Sequence, residues 1–336
     1  MAVSCRALSA WNLSGRSFNP ERPRSPERTM LEYGQKLWKN GIISDFSEAG
    51  KVSILVHGLH YGVGAFEGIR AYQRTGGQAA VFRLGEHVER LLQSCHLLGI
   101  DPGYDASGLR DACVAVLRAN QLSEAYLRPL VLTGVGSMGL FCKENPIDTL
   151  IVAWKWGAYF GERGVQSGVR CKTSAWARPD PTGALPRGKI TGQYVTNVLA
   201  KNDAVRDGYD EALMLDTRGY VCEGSGENLF IVKSGRVLTP PVSSTILPGI
   251  TRDAIITLAR EDGFVVEERM LTRDDVYLAD EVFLTGTAAE ITPVIEVDGR
   301  KVRAGAVGET TTDLQRRFFA VVRGNDESHP EWFTEV

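Results

Sequence analysis

Two glutamates in VCEGSGENLF, residues 221–230, are candidates for chemistry. Glu223 and Glu227 stand among glycines just before an apolar run, Leu229 to Val232, that is typical of a strand entering a core. Carboxylates are rarely buried without a partner. In an extended chain the two would lie about 13 Å apart, at about 3.3 Å per residue, so one cation is not expected to serve both. Glu223 is therefore expected to lie at a solvated strand edge, to pair with an arginine, or to face a cationic ligand.

Lys189 is the candidate nucleophile among the ten lysines of the chain. It lies in PTGALPRGKITGQYV, between glycines and just before a predicted helix, with Tyr194 five residues later. Its small neighbours leave space for a bulky group to approach the amine. A lysine nucleophile needs its pKa lowered from about 10.4, by burial or by a covalent partner.

Two further stretches suit anions. In LPGITRDAIITLAREDG, residues 247–263, a predicted helix begins with the free amides of Ile250 and Thr251, which together with the Thr251 hydroxyl and the helix dipole suit a phosphate. An ordinary helix start is the alternative. In LTGTAAEITP, residues 284–293, a strand runs into a turn where Thr287 and Ala288 could present amides and a hydroxyl to a second anion.

These features match the three ends of pyridoxal phosphate. Its aldehyde reacts with a lysine, its phosphate suits a helix start, and its pyridine nitrogen can be kept protonated by a carboxylate. Such a ligand would supply the positive group that Glu223 requires.

Composition argues against several other classes of protein. The chain has 336 residues, 43% of them hydrophobic and 24% charged, which is typical of a globular protein with room for two domains. A net charge of −3 gives no electrostatic support for binding nucleic acid or an anionic membrane, and no apolar run approaches the roughly 20 residues of a membrane span. Six scattered cysteines without a Cys-x-x-Cys suit reduced thiols in the cytoplasm. His57 and His60 have no third ligand nearby, so we predict no metal site.

The first 29 residues differ from the rest of the chain. They contain arginines and serines without an apolar segment of the secretory type, and ERPRSPER is typical of a disordered spacer. We predict a disordered extension over residues 1–29, outside the fold. An upstream start codon or a cloning remnant is favoured over an organelle transit peptide, because Met30 opens an ordered-looking segment.

The remaining sequence falls into two groups of elements, separated by the glycine-rich stretch WKWGAYFGERG. In the first group we predict helices over 85–98 and 107–120. We predict strands in KVSILVHG, AAVFRL, YLRPLVLTG and TLIVAWKW. In the second group we predict helices over 192–206, 250–261 and 308–322, a strand over 281–285, and hairpin turns at 217–219 and 234–235. Weak strand–helix–strand alternation favours an α+β fold. The predicted domains are a small one over 30–155 and a large cofactor-binding one over 166–336, joined by a loop at 156–165.

One motif imitates a dinucleotide-binding loop. GVGSMG, residues 134–139, has the glycine spacing of that fingerprint and follows a predicted strand. The sequence after it predicts a turn and another strand, with no helix to point its amides at a pyrophosphate. We therefore interpret it as a tight loop, which weakens the hypothesis of a nicotinamide-dependent dehydrogenase.

Eight motifs in order resemble those of the fold-type IV pyridoxal-phosphate enzymes and, among them, the branched-chain amino acid aminotransferases. They span about residues 36–322 and are HGLHYGVGAFEGIRAY, EHVERL, AYLRPL, WGAYFG, GKITGQY, DTRGYVCEGSGENLF, LPGITRDAI and LTGTAAEITP. The order is far more specific than any single motif. The resemblance implies two α/β domains with the cofactor in the cleft between them. It also implies amino transfer between L-leucine, L-isoleucine or L-valine and 2-oxoglutarate.

The resemblance also implies roles for individual residues at the cofactor. Lys189 matches the Schiff-base lysine, Glu223 the partner of the pyridine nitrogen, and Tyr194 the tyrosine bonded to the phenolic oxygen. The phosphate would be held by Arg90, Ile250, Thr251 and Thr287. Glu227 has no secure counterpart in the family, so a local salt bridge is expected for it.

The substrate side chain must be apolar in one turn of the reaction and anionic in another. The resemblance implies that Tyr126 and the turn at Thr287 and Ala288 bind the α-carboxylate. The side-chain pocket would be walled, in part by a neighbouring subunit of a homodimer or larger homo-oligomer, by Tyr61, Phe66, Leu140, Trp156 and Tyr159. Arg128, with tyrosine hydroxyls, is expected to meet the γ-carboxylate of glutamate.

Other fold-type IV enzymes remain alternatives, namely a D-amino-acid transaminase, an (R)-amine transaminase or an aminodeoxychorismate lyase. The AYLRPL and WGAYFG motifs argue against them. A non-catalytic scaffold is disfavoured because Lys189, Glu223 and Tyr194 are all present.

Overall fold

Two β-sheets with helices packed on them form the fold of the computed structural model, which describes residues 33–157 and 159–336. The predicted extension over residues 1–29 lies outside the described residues. The helices are α1 Phe46–Ala49, α2 His57–Tyr61, α3 Leu84–Leu98, α4 Ala106–Asn120, α5 Gly161–Ser167, α6 Tyr194–Arg206, α7 Ile250–Glu261, α8 Arg273–Tyr277 and α9 Glu309–Arg323, with 3₁₀ turns at Thr191–Gln193 and Pro330–Trp332. The strands are β1 Lys36–Lys39, β2 Ile42–Asp45, β3 Gly64–Phe66, β4 Ile69–Gln73, β5 Ala79–Phe82, β6 Ala125–Thr133, β7 Ile147–Trp154, β8 Val169–Thr173, β9 Glu211–Leu215, β10 Val221–Gly224, β11 Asn228–Lys233, β12 Arg236–Thr239, β13 Val265–Glu268, β14 Glu281–Gly286, β15 Glu290–Val297, β16 Arg300–Lys301 and β17 Phe333–Glu335.

The first sheet is antiparallel and has the order β17-β5-β4-β6-β7-β1-β2, with β3 paired to β6. Helices α3 and α4 cover one of its faces and bury an apolar stripe at helical spacing, which for α3 is Leu84, Val88, Leu91 and Cys95. The last strand, β17, comes from the C-terminus. The chain end therefore completes the sheet built by the N-terminal half.

The second sheet has the order β10-β9-β8-β15-β14-β11-β12-β13, and an additional β10–β11 pairing closes six of these strands into a ring. Pairings β8–β9, β8–β15 and β12–β13 are parallel. Helices α7 and α9 pack on this sheet around Phe230 and Phe283, whose stacked rings lie 5.0 Å apart. The predicted domain boundaries at 155 and 166 stay a prediction.

Most predicted elements are confirmed within two residues at each end. The helices predicted over 85–98, 107–120, 250–261 and 308–322 correspond to α3, α4, α7 and α9, and the two predicted hairpins are β9–β10 and β11–β12. The helix predicted over 192–206 begins as a 3₁₀ turn and continues as α6. The apolar run before Lys233 is the buried strand β11.

The strand predicted in KVSILVHG is wrong. Residues 51–56 form a loop that leads into α2, and Ile54 and Leu55 are 73% and 52% exposed. Apolar runs of this kind predict strands because they are usually buried, whereas in this one Val52, Ile54 and Leu55 lie on the surface of the single chain and Val56 is buried.

The glycine-rich stretches behave as loops with one exception. GVGSMG leads from β6 into a loop, and no helix begins before β7 at Ile147, which contradicts the dinucleotide-binding interpretation. Within the predicted linker, residues 161–167 instead form the short helix α5.

The two sheets meet where β3 runs beside the segment that carries Lys189. Ala65 bridges to Ile190, and the Phe66 amide donates a hydrogen bond to the Lys189 carbonyl, 3.0 Å away. A Cβ on Gly62 would lie 2.6 Å from the Gly192 Cα atom, and Gly62 also has a left-handed φ of 69°. Glycine at both positions therefore lets the two backbones approach closely.

Within the described ranges no helix has the length and apolar character needed to cross a membrane. In the same ranges no group of three or more His, Cys, Asp or Glu side chains could hold a metal ion. The two histidines singled out from the sequence contact backbone carbonyls, His57 that of Gly139 at 3.0 Å and His60 that of Ile54 at 2.7 Å.

Candidate active site

Lys189 is fixed by contacts from three directions. Its amide donates to Ser94 Oγ at 2.9 Å, and Ser94 in turn donates to the Arg90 carbonyl of α3. Its Nζ donates to the Tyr194 hydroxyl at 2.7 Å and lies 4.9 Å from the centre of the Phe66 ring. The amine is half-buried at the junction of the two sheets and is directed by Tyr194 and Phe66.

A cavity opens beside this amine between the two sheets. It is lined by Gly68, Arg90, Tyr126, Lys189, Gly226, Asn228, Leu247, Gly249, Ile250, Thr251, Thr285, Gly286, Thr287 and Ala288. The structure thus brings together seven of the residues predicted from sequence, although they are spread over about 200 positions of the chain. Tyr194 and Glu223 are not lining residues themselves, but each is hydrogen-bonded to one. Tyr194 accepts from Lys189, and Glu223 accepts from Asn228.

The N-terminus of α7 forms one end of the cavity. Gly249 is the N-cap residue and its helix start has no side-chain cap, so the first amides of the helix face the cavity without a local acceptor. A Cβ on Gly249 would lie 1.9 Å from Asn228 Oδ1. This position therefore requires glycine, and the arrangement suits an anion.

Arg90 stands at the same end, held by a buried carboxylate. Glu67, fully buried, accepts from Arg90 Nε at 2.6 Å and from Arg90 Nη2 at 2.9 Å, and it also contacts His87 Nδ1 at 2.7 Å. Burial alone would raise the pKa of Glu67, but Arg90 and His87 hold it well below its usual range. Arg90 Nη1 donates to the Pro248 carbonyl at 2.7 Å. A guanidinium has five N–H donors, so Arg90 keeps donors for an anion.

Glu223 faces an arginine, which is one of the partners considered from the sequence. Arg178 Nε lies 3.1 Å from Glu223 Oε1, while Oε2 accepts from Asn228 Nδ2 and from the Leu247 amide, both at 3.0 Å. Burial raises the pKa of Glu223, and the charges of Arg178 and Lys189 oppose that rise. The carboxylate is therefore fixed in place by two hydrogen bonds and one ion pair before any ligand binds.

Among the described residues, Glu227 has no partner for the local salt bridge that the sequence suggested. Its side chain is buried and accepts a hydrogen bond from the Gly226 amide at 3.2 Å. The ammonium group of Lys201 pairs with Glu211 instead. Burial, together with repulsion from Glu211, raises the pKa of Glu227 to about 8, although Lys201 opposes this. Glu227 therefore keeps its proton to a higher pH than an exposed glutamate does.

Replacing Glu227 with glutamine is expected to stabilise the protein at pH 8 and to change little at pH 5. The folded state keeps the proton that the unfolded state loses above about pH 4.3, so the free energy of unfolding of the wild type falls as pH rises toward 8. Glutamine removes that fall, a gain of about 1–3 kcal/mol at pH 8. Urea unfolding at both pH values measures it. Glu67→Gln is the matched control and should destabilise at pH 8, because the pKa of Glu67 is lowered. Equal stability of Glu227→Gln and wild type at pH 8 would contradict a protonated Glu227.

The predicted substrate residues of the first sheet surround Arg128. Its guanidinium lies 4.8 Å from the Phe66 ring and 5.4 Å from the Tyr126 ring, and Nη2 is 3.4 Å from the Tyr126 hydroxyl. Arg128 Nε is buried without a hydrogen-bond partner in the described residues. Trp156 packs against Tyr126 at 4.6 Å, and Tyr159 against Trp156 at 6.0 Å. These aromatic groups form one continuous wall.

Tyr61 and Leu140 are not brought to this wall within the single chain. Tyr61 donates to the Met138 carbonyl at 3.0 Å, and Leu140 is 83% exposed. They belong to an apolar surface, formed by α2 with its preceding loop and by the loop after β6, that also exposes Ile54, Leu55, Leu59 and Phe141.

Sequence reasoning missed Glu67, Arg178, Asn228 and Thr285. Glu67 and Asn228 lie within stretches that were singled out, so the rule that buried polar groups need partners pointed toward them. Arg178 had no local signal, because nothing in SAWARPDP separates it from the other arginines. Thr285 is fully buried in β14, and its hydroxyl has no partner among the described residues.

Comparisons with known proteins show which proteins this chain resembles. The profile of the family described as amino-transferase class IV matches residues 64–297. The branched-chain-amino-acid aminotransferase of Pseudomonas aeruginosa is 45% identical over 308 residues, covering 92% of this chain and 99% of that protein. The crystal structure of the Escherichia coli branched-chain amino acid aminotransferase has a TM-score of 0.87 at 42% identity, covering 89% of this chain and 98% of that chain. The branched-chain amino acid aminotransferase of Thermobaculum terrenum, crystallised in its PLP form, has a TM-score of 0.84 at 34% identity, with 90% and 99% covered.

These relatives support the branched-chain interpretation over the D-amino-acid, (R)-amine, lyase and dehydrogenase alternatives. They also confirm the predicted α+β fold of type IV and the predicted cofactor. The chain belongs to the class IV aminotransferases and, within that family, to the pyridoxal-phosphate-dependent branched-chain amino acid aminotransferases.

Proposed function

We propose that this chain transfers amino groups between L-leucine, L-isoleucine or L-valine and 2-oxoglutarate, with Lys189 as its catalytic residue. The observation that carries the assignment of roles is the position of the Lys189 amine beside a cavity with an anion-binding helix start and a buried, fixed carboxylate. The three features are those a pyridoxal phosphate needs.

The cavity fits that cofactor. Thr285 lines it and has a buried hydroxyl without a partner among the described residues, and the N-terminus of α7 and Arg90 together suit a phosphate. In the proposal the phosphate is held by Arg90, Ile250, Thr251 and Thr287, and Glu223 faces the ring nitrogen. When bound, the cofactor supplies an electron-withdrawing ring that stabilises negative charge at the substrate α-carbon.

The roles of the protein groups follow from their contacts. Tyr194 is hydrogen-bonded to Lys189 Nζ, so it orients the amine and shares its proton. Lys189, once free, is placed to move a proton to and from the substrate α-carbon, a role that contributes roughly 10²–10⁴-fold to the rate. Arg178 opposes the uptake of a proton by Glu223, which keeps that carboxylate able to bind a protonated nitrogen.

The substrate side is proposed to lie against the aromatic wall. Tyr126, Thr287 and Ala288 bind the α-carboxylate, and Phe66, Trp156 and Tyr159 contact the side chain. Burying a leucine side chain there gains about 25 cal/mol per Å² of apolar surface. Arg128 pairs with the γ-carboxylate when glutamate takes the place of leucine.

We infer that the enzyme is a homodimer or a larger homo-oligomer in the cytoplasm. The apolar surface that includes Ile54, Leu59, Leu140 and Phe141 is exposed in the single chain, and a second copy is the partner proposed for it. Tyr61 and Leu140 would then reach the neighbouring site, which the described part of one chain leaves without them. Sedimentation measures the size of the protein in solution. A monomeric Phe141→Asp variant beside a larger wild-type species would support this arrangement.

An amino-donor panel tests the proposed activity. With 2-oxoglutarate as acceptor, L-leucine, L-isoleucine and L-valine are expected to be converted, whereas D-alanine and (R)-1-phenylethylamine are not. Glutamate formation is measured for each donor. Preference for D-alanine or for the (R)-amine would overturn the proposed substrate class while leaving the cofactor site intact.

A further inference from the structure

A charged cluster lies outside the cavity and connects its two sides. It consists of Arg70 and Tyr72 on β4, Glu124 just before β6, Glu290 on β15 and Arg323 on α9. Arg70 and Glu290 are only 5% and 4% exposed. Arg70 Nη1 lies 3.6 Å from Glu290 Oε1, to which the Tyr72 hydroxyl also donates at 3.1 Å. Such buried charges require a partner.

One arm of the cluster fixes the turn between β14 and β15. Glu290 is the first residue of β15 and pairs with Gly286 across the turn that holds Thr287 and Ala288. Its φ is 53°, the left-handed region that a non-glycine residue rarely adopts. Surrounding contacts must hold such a conformation in place, and the contacts seen here are those of Arg70 and Tyr72. The turn that lines the cavity is therefore held from behind by Glu290.

The other arm reaches the aromatic wall. Arg70 Nη2 donates to the Trp156 carbonyl at 3.3 Å, and Trp156 packs on Tyr126. Arg70 and Tyr126 are also paired residues of β4 and β6. One guanidinium therefore contacts both the support of the carboxylate-binding turn and the backbone of the side-chain wall.

The outer part of the cluster holds Arg70 indirectly. Arg323 donates to Glu124 at 2.8 and 3.0 Å, and Glu124 lies 4.0 Å from Arg70 Nη2. The side-chain hydrogen bonds and ion pair of Arg323 within the described part of the chain go to Glu124 and to the Gln73 carbonyl, and its guanidinium lies 5.4 Å from the centre of the Tyr72 ring. None of these contacts is to the 287–288 turn or to Trp156. Arg323 therefore offers a control within the same cluster, since its loss weakens the cluster but leaves the Arg70–Glu290 and Arg70–Trp156 contacts in place.

We propose that Arg70 and Glu290 are positioning residues that set the spacing between the 287–288 turn and Trp156, and so determine how well the site holds a carboxylate and an apolar side chain at once. This inference rests on the proposed function, because it assigns those two surfaces to the substrate. Neither residue lines the cavity at its cofactor end, where Arg90 and α7 lie. Substrate binding and cofactor binding should therefore respond differently to their replacement.

The test measures three quantities in cofactor-loaded protein for Arg70→Met, Glu290→Gln and Arg323→Met. They are the dissociation constant of 4-methylpentanoate, the dissociation constant of pyridoxal phosphate, and the melting temperature. 4-Methylpentanoate is an unreactive carboxylate with a leucine-like side chain. Misplacement of binding groups by about 1 Å can cost about 100-fold. We expect Glu290→Gln and Arg70→Met to weaken 4-methylpentanoate binding by about 10- to 100-fold with cofactor affinity within about twofold of wild type. Arg323→Met should lower the melting temperature without changing either affinity.

Two results would overturn the inference. One is unchanged 4-methylpentanoate affinity in Glu290→Gln, which retains the size of the side chain and keeps the test available if Arg70→Met does not fold. The other is an equal loss in Arg323→Met, which would indicate a purely structural cluster. Failure of the wild type to bind 4-methylpentanoate would instead contradict the proposed function. Arg70→Lys, which retains the charge toward Glu290, is expected to recover part of the affinity.

Discussion

Lys189→Ala is expected to abolish amino transfer and to remove the visible absorption of the cofactor-loaded protein. The Lys189 amine is the nucleophile that the cavity presents, and it is also the group placed to move the substrate proton. Loss of the proton transfer alone lowers the rate roughly 10²–10⁴-fold, and loss of the covalent attachment adds to that. The wild type should be yellow after pyridoxal phosphate is supplied. Absorption spectra and glutamate formation measure the two effects.

The matched control for this variant is Lys233→Ala. Lys233 is also a lysine that contacts a protein oxygen, the Leu278 carbonyl, but it lies at the β11–β12 turn, away from the cavity. It should retain both colour and activity. A colourless wild type in excess cofactor, or an active Lys189→Ala protein, would show that another group carries the chemistry. Adding a small primary amine to Lys189→Ala should restore part of the proton transfer if the position of the amine is what matters.

Local patterns predicted the elements that are buried on one face within the single chain. The apolar stripe of α3 and the all-buried run of β11 have the spacing that burial imposes, and both were found where expected. The same logic failed for residues 52–55, where the apolar side chains are exposed on the surface proposed to pair with a second copy. Periodicity predicts that a segment will be buried, but not what covers it.

The individual residues of the candidate site were predictable from the sequence, whereas the contacts between them were not. Lys189, Glu223 and the start of α7 each carry a local signal, because space, burial and a free helix terminus follow from neighbouring residues. The pairing of Glu223 with Arg178 joins residues 45 positions apart, and that of Arg90 with Glu67 depends on how β3 and α3 meet. These contacts are set by packing of distant segments, so one sequence contains no local trace of them.

Arg178 gives Glu223 a positively charged partner within the protein. The resemblance implies that a ring nitrogen faces Glu223, whereas Arg178 already lies 3.1 Å from one of the Glu223 oxygens in the protein itself. This arrangement lowers the cost of burying the carboxylate before the cofactor binds, since a buried ion without a partner is strongly destabilising. Arg178 therefore allows the fold to hold a charged group in readiness for the cofactor.

Arg128→Leu is expected to weaken glutamate and 2-oxoglutarate far more than leucine and its keto acid. In the structure Arg128 lies among Phe66 and Tyr126 and has no carboxylate partner among the described residues, so its charge is available to an incoming γ-carboxylate. A leucine side chain in the same place gains from apolar contact and leaves the guanidinium stacked on the rings. The expected loss on the anionic side is about 2–5 kcal/mol, roughly 30- to 5000-fold, by analogy with a truncated buried charge pair.

Half-reactions separate the two substrates in this variant. Cofactor-loaded protein is mixed with glutamate or with leucine alone, and the loss of the visible band gives a rate constant and a dissociation constant for each. Tyr126→Phe is the matched control, because a hydroxyl proposed to bind the shared α-carboxylate should affect both amino acids equally. If Arg128→Leu also slows both by the same factor, Arg128 serves the α-carboxylate or the fold, and the γ-carboxylate must be bound elsewhere along the aromatic wall. A selective loss with glutamate would indicate that glutamate and leucine side chains bind in one pocket. Arg128 would then contact only the glutamate side chain.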